Sequence, residues 1–201
     1  MMWDERYSEE EYVYGTDPNE FLASMFKRIP KGRVLCLADG EGRNSVFLAE
    51  QGYEVTAVDA SSVGIEKGRR LAAERGVQVE AIHADLGEFD IQPNHWQGVV
   101  SIFAHIPPEA RRRIHRQVVE GLVSGGVLVL EAYTPQQLEF GTGGPKVPEL
   151  TMDLERLRPE LTGLDFELAT EFERDVVEGK FHTGRGAVVQ VLAIKAATLQ
   201  G

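Results

Sequence analysis

Apolar residues along this chain fall into two alternating kinds of run. Five short runs are rich in Val, Ile and aromatic residues and are bounded by Gly, Asp or Pro. They cover residues 33–38 (RVLCLA), 53–60 (YEVTAVDA), 77–84 (VQVEAIHA), 96–103 (WQGVVSIF) and 126–133 (GVLVLEAY). Most are apolar almost throughout, as strands are when both faces of a parallel sheet are covered. Between them lie stretches of helical period. Residues 42–52 stop at Gly52, a C-terminal cap, and 61–76 run from two serines suited to an N-cap to Gly76. Residues 107–122 open with Pro108 and Glu109 and repeat apolar side chains at Ala110, Ile114, Val118 and Leu122. A further helix is predicted over 18–28. This order predicts a doubly wound α/β domain with right-handed crossovers.

The end of the chain breaks the alternation. After a loop rich in Gly and Pro (134–150) and a short helix around 152–161, two long strand patterns follow, 164–179 and 184–196. Only KFHT separates them, which predicts an antiparallel hairpin. The expected fold class is α/β and Rossmann-like: a mostly parallel seven-strand sheet with an antiparallel C-terminal strand. One domain accounts for all 201 residues. Within it, residues 1–20 form an N-terminal arm whose Trp3, Tyr7, Tyr14 and Asn19 suit a lid, and the 134–150 loop is long enough to be a second one over a substrate.

Composition narrows the partners. A net charge of −11 argues against a nucleic-acid backbone or an anionic membrane as partner. The RRRIHR stretch, 111–116, spreads its arginines around a helix and reads as a solvated face. No apolar run approaches the roughly 18 residues a membrane-spanning helix needs, and the N-terminus lacks signal-peptide regions, so a cytoplasmic location is expected. The single cysteine, Cys36, sits in an apolar run and reads as core. The histidines have no ligand spacing, and no metal is expected.

The candidate chemistry starts at VLCLADGEGRN, residues 34–44. Gly40 and Gly42 stand between a strand and a helix, where backbone N–H groups and the positive helix end meet a ligand. Such a turn also occurs for purely structural reasons. Asp39 and Glu41 lie inside it and would repel a pyrophosphate, yet suit a ligand carrying a sulfonium and an ammonium. Asp59, 17 residues after Gly42, ends the second strand pattern, where a carboxylate accepts from ribose hydroxyls. Asp85 follows the third and is set to reach an adenine edge. Three such residues at the carboxyl ends of three strands point to a nucleoside site. On the opposite side, His105 follows the fourth strand and suits a base or an orienting group, or else a packed histidine. Glu131 and Tyr133 end the fifth strand, as substrate contacts or, for Glu131, as a partner of a neighbouring helix.

From Arg33 to Asp85 the chain resembles class I S-adenosylmethionine-dependent methyltransferases. The segments MWDERYS…YGTDPNEFL, LADGEGRNSVFLAEQGYEVTAVDAS, SIFAHIPPEARRRIH and LEAYTPQQLEFGTGGPKVPEL resemble, more narrowly, the small bacterial tellurite-resistance and thiopurine methyltransferase type. Members commonly carry Cys or Ser where Asp39 stands, and Gly or a small residue where Ala38 stands. The resemblance implies S-adenosyl-L-methionine as cofactor, S-adenosyl-L-homocysteine as product and a small-molecule methyl acceptor, such as a soft thiol, selenium or tellurium nucleophile. It implies that Ala38, Asp39, Gly40 and Gly42 line the methionine end, with Arg43 and Asn44 near its carboxylate. Asp59 would hold the ribose beside Ala60, Asp85 and Leu86 would meet the adenine, and Phe103 and Ala104 would cover the amine and the methyl group. The other readings are a cofactor-binding protein without transferase activity and an NAD-dependent oxidoreductase. The terminal hairpin and the acidic loop disfavour the last.

Overall fold

The computed structural model describes residues 2–179 and 183–196. Its seven strands are β1 (Arg33–Leu37), β2 (Glu54–Asp59), β3 (Glu80–His83), β4 (Trp96–Ile102), β5 (Leu122–Tyr133), β6 (Leu164–Val177) and β7 (Thr183–Lys195). They form one sheet in the order β3-β2-β1-β4-β5-β7-β6. The first five are mutually parallel and β7 runs antiparallel to both its neighbours, the sheet expected from the sequence. The order reverses beside β1, so the carboxyl ends of β1, β2 and β4 converge on one crevice.

The strand period of two sorts side chains onto two apolar faces. Leu35 and Leu37 of β1 join one core with Val99, Leu128, Leu130, Val189 and Val191, while Val34 and Cys36 join the other with Val55, Val100, Val127 and Val129. The first face is covered by Ile114 and Val118 of helix α5 (Pro108–Gly121) and by Leu157 and Leu161, in and beside α6 (Leu154–Glu160). The second is covered by α2 (Glu20–Met25) and α3 (Arg43–Glu50) through Phe21, Leu22 and Leu48. Cys36 lies in this second core, 1% exposed, and burial pushes its thiol well above the ordinary range.

Local chemistry sets the helix starts. Asn19 accepts from the Leu22 N–H, Ser61 from the Gly64 N–H at the head of α4 (Ser62–Glu74), and Asp153 from the Arg156 N–H. The boundaries differ from the sequence pattern at three places. The helix expected over 18–28 is only six residues long and ends in a 3₁₀ turn. The third strand is only four residues long, at the sheet edge beside β2. The fifth begins at Leu122, four residues early, because α5 runs straight into it without a loop. Residues 180–182 of the hairpin turn lie outside the described residues. A short helix at the N-terminus, α1 (Met2–Arg6), leads the arm across α4.

Candidate active site

The glycine loop turns on backbone that few side chains tolerate. Ala38 has φ +50°, Gly40 +61° and Gly42 +90°. A Cβ on Gly42 would stand 2.6 Å from the Cα of Gly68, so loop and α4 touch through two glycines. Gly64 makes the same approach one turn earlier, where a Cβ would meet the Gly40 carbonyl at 2.8 Å. Two glycines inside a helix cost about 1 kcal/mol each, and here close packing against the loop offsets that cost.

The two acidic residues of the loop have separate roles. Asp39 takes the N–H (3.3 Å) and the hydroxyl of Ser45, in the first turn of α3. It therefore occupies the helix end at which a pyrophosphate would bind in a dinucleotide fold. Burial, and then the charge of Asp59, push the Asp39 carboxyl up to about 7, although the Ser45 hydrogen bonds oppose this. Glu41 faces away, toward the arm. Its carboxylate lies 2.5 Å from Lys67 Nζ and accepts from the N–H of Val13 at 2.8 Å.

Asp59 ends β2 beside the loop. One oxygen accepts from Gly40 N–H and the other from Ser61 N–H, each at 2.8 Å. Each oxygen keeps a lone pair for a further donor. Burial raises its pKa in spite of these two bonds. Ala60 follows it, its carbonyl 3.0 Å from His83 Nε2. Asp85 is exposed beyond β3 and accepts from Gly87 N–H, and Leu86 points into the core. Asp39, Gly40, Gly42, Asp59 and Ala60 are thus brought to one loop cluster, with Asp85 at the adjoining strand end.

Arg43 and Asn44 are buried, and their side chains leave the loop. Arg43 binds Glu178 at 2.5 Å, and Asn44 accepts from the Asn19 N–H at 2.9 Å. They join a buried polar network at the end of the hairpin. Glu131, fully buried, accepts from Asn19, Arg174 and Gln190, and Glu178 accepts from Asn19, Arg43 and Arg174. Burial works against the charged form of Glu178, but Arg43 and Arg174 outweigh it and hold its carboxyl below the usual range. This network ties α2, α3, β5 and the hairpin together.

Beyond the end of β4, Phe103 turns at φ +53° and Ala104 is buried behind it. Phe103 stacks on Tyr133 at 4.6 Å, and His105 lies parallel to the same ring at 5.7 Å. The 134–150 loop closes over the other side, where a Cβ on Gly144 would stand 2.6 Å from the Tyr133 ring. Gln137 pins that loop by donating to Thr142 and Gly143 and accepting from Ala187. His105 Nδ1 is 2.9 Å from the Leu150 carbonyl, which can only accept, so the proton sits on Nδ1. Arg111 donates to the carbonyls on either side, of Glu149 and Thr151. Burial, against the Leu150 hydrogen bond, lowers His105 to about 4.

Sequence reasoning missed Lys67, Glu178 and Arg174, and named Tyr7 only as part of a lid. Tyr7 is 5% exposed and its hydroxyl lies where a Cβ on Gly40 would come within 2.7 Å. Its phenol is held well above its ordinary value by burial and by Asp59. The one readable signal for Lys67 was its place between Gly64 and Gly68, on the helix face that those glycines bring close. The hairpin residues alternate like any exposed strand and gave none.

These residues fit S-adenosylmethionine by chemistry: carboxylates at the ends of β1 and β2 suit hydroxyls and a cationic ligand, and the helix end is already taken. Residues 34–126 match a family model described as a methyltransferase domain, just under half of the chain. A curated relative, the 2-heptyl-1-hydroxyquinolin-4(1H)-one methyltransferase of Mycobacteroides abscessus, is 25% identical over 117 residues, 57% of this chain. That match spans 52% of the relative, about half its length. Among solved structures, one concerning conversion of a disulfide bond into a thioacetal group during echinomycin biosynthesis is 18% identical. It has a TM-score of 0.76 over 98% of this chain and 89% of its own. A SAM-dependent methyltransferase of Methanosarcina mazei, also 18% identical, has a TM-score of 0.71 over 90% of this chain and all of its own. The fold is the Rossmann-like fold of such methyltransferases, and the matched segment, 34–126, is the one that builds the glycine loop, Asp59 and the end of β4.

Proposed function

We propose that the protein is an S-adenosylmethionine-dependent methyltransferase acting on a small-molecule acceptor. One observation carries this reading beyond the fold. Asp39 fills the α3 helix end, where a dinucleotide would place its pyrophosphate, while Asp59 stays beside Gly40 at the end of β2 with lone pairs to spare. In this reading Gly40 and Gly42 hold the methionine portion through backbone, Asp59 the ribose hydroxyls, and Asp85 and Leu86 the adenine. The cofactor, when bound, supplies a methyl group already activated on a positively charged sulfur.

What remains for the chain is to align the acceptor and exclude water. Phe103, Tyr133 and the 134–150 loop form the apolar wall for that task. Glu131 is committed to Arg174 and Asn19, and His105, held near 4 with its proton donated to Leu150, is a poor base at neutral pH. The acceptor must therefore arrive as a nucleophile. A thiolate or a selenium or tellurium anion satisfies this, as does an acidic N-hydroxy group like that in the name of the curated relative. His105 then positions the 150 turn.

The test is methyl transfer from S-adenosylmethionine to a panel of thiols, selenide, tellurite-derived anions and N-hydroxy heteroaromatics, read as S-adenosylhomocysteine formed. Transfer should rise with pH through the acceptor's own pKa, and His105→Gln should keep that profile while raising the acceptor's KM. A profile that loses its basic limb in His105→Gln would make His105 the base and refute this division of labour.

A further inference from the structure

The buried ion pair between Glu41 and Lys67 is not used by the reading above. Lys67 is 4% exposed, and lysine is seldom buried so far unless its charge is fully engaged. Its ammonium reaches the Glu41 carboxylate at 2.5 Å and the carbonyls of Glu11 at 2.6 Å, Glu9 at 2.9 Å and Tyr7 at 3.5 Å. Glu41 in turn accepts from the N–H groups of Val13 (2.8 Å) and Tyr14 (3.4 Å). Two side chains therefore hold the backbone of residues 7–14 at five points.

The surroundings give that grip a purpose. Side chains 8–11 are exposed, so packing does not hold that part of the arm. Between this part of the arm and α4 lies an open surface pocket of about 400 Å3, lined by Ser8, Glu9 and Glu10 on one side and Ser62, Glu66 and Arg70 on the other. Asp4 also ties the arm, its carboxylate taking the Ser61 hydroxyl at 2.7 Å, and the Tyr12 hydroxyl donates to the Lys67 carbonyl at 3.3 Å. Tyr7 is pressed onto Gly40 and Gly64 at the Asp59 end of the crevice. Glu41 sits between Gly40 and Gly42, so the loop offered to the nucleoside and the strap across it share one side chain.

We propose that Glu41 and Lys67 are positioning residues that latch residues 7–14 shut over the Gly40–Asp59 crevice, and that release of this latch gates nucleoside entry and exit. The inference rests on the proposed nucleoside site. Undoing the pair frees the strap while the Asp39 and Asp59 contacts of the loop stay in place.

The experiment has two readouts on the full chain. Trypsin cleavage after Arg6, followed by intact mass, reports strap opening without any ligand. Stopped-flow release of S-adenosylhomocysteine, followed by protein fluorescence, reports the gate. In Glu41→Gln/Lys67→Met, which removes both charges together, cleavage and release should each quicken at least tenfold. Lys67→Arg should restore most of both. Asp4→Asn, a surface change, should move both in the same direction by a few fold. Unchanged cleavage and release in a double variant with a native melting curve would overturn the latch. If the double variant does not fold, unchanged cleavage in the single variant Glu41→Gln, which removes one charge of the pair, overturns it instead. Failure of the wild-type protein to bind S-adenosylhomocysteine would refute the cofactor reading and with it the gate's cargo, and cleavage at Arg6 would still decide the latch.

Discussion

Asp39 and Asp59 are two carboxylates at neighbouring strand ends whose environments set them apart. Asp59 is held by two backbone N–H groups and is the residue assigned to the ribose. Asp59→Ala should weaken S-adenosylhomocysteine binding by more than about tenfold, since charge-assisted hydrogen bonds of roughly 1.5–3 kcal/mol are lost. Unchanged affinity in a folded variant would refute the assignment. Asp39 titrates near 7 in the fold against an ordinary 3.8. A folded pKa above the unfolded one means that the native state holds the proton more tightly. Its contribution to stability is complete below about pH 4 and is lost as pH rises toward 7. Asp39→Asn should therefore gain stability relative to wild type between pH 5 and pH 8, measured by urea unfolding at both. Parallel pH dependence in the two proteins would show that Asp39 is not buried against its charge.

At the scale of elements, the loop and α4 meet through glycines, and the sequence displayed half of that. Gly40 and Gly42 are legible as a strand-to-helix turn because they follow an apolar run. Gly64 and Gly68 interrupt a helical pattern, and their reason appears only when the helix is packed against the loop. Gly42→Ala puts a side chain at φ +90° and 2.6 Å from Gly68, so thermal or urea unfolding should show a loss of at least about 2 kcal/mol. A neutral result would mean that loop and helix are not in contact. One boundary that the pattern misjudged has a plain cause: β5 is lengthened by a helix that enters it directly, which depends on a neighbour rather than on local composition. Glu131 shows the same limit at a candidate site residue. Its position near the end of a strand suits substrate contact, whereas its partners Arg174 and Gln190 come from strands more than forty residues away.

For the whole molecule, the alternation of strand and helix followed by a reversed hairpin was enough to give the sheet, because parallel strands, crossover helices and a hairpin leave few arrangements. The same sheet brings the crevice to the ends of β1, β2 and β4, with Tyr7 of the arm against Gly40 and Gly144 of the 134–150 loop against Tyr133. Among the described residues no helix is long and apolar enough to cross a membrane. Calorimetric titration with S-adenosylhomocysteine, with NAD as the control, decides whether this crevice binds an adenine nucleoside with a methionine arm or a dinucleotide. Micromolar binding of S-adenosylhomocysteine and no heat from NAD is the predicted result. Binding of NAD, or of neither ligand, would contradict the account.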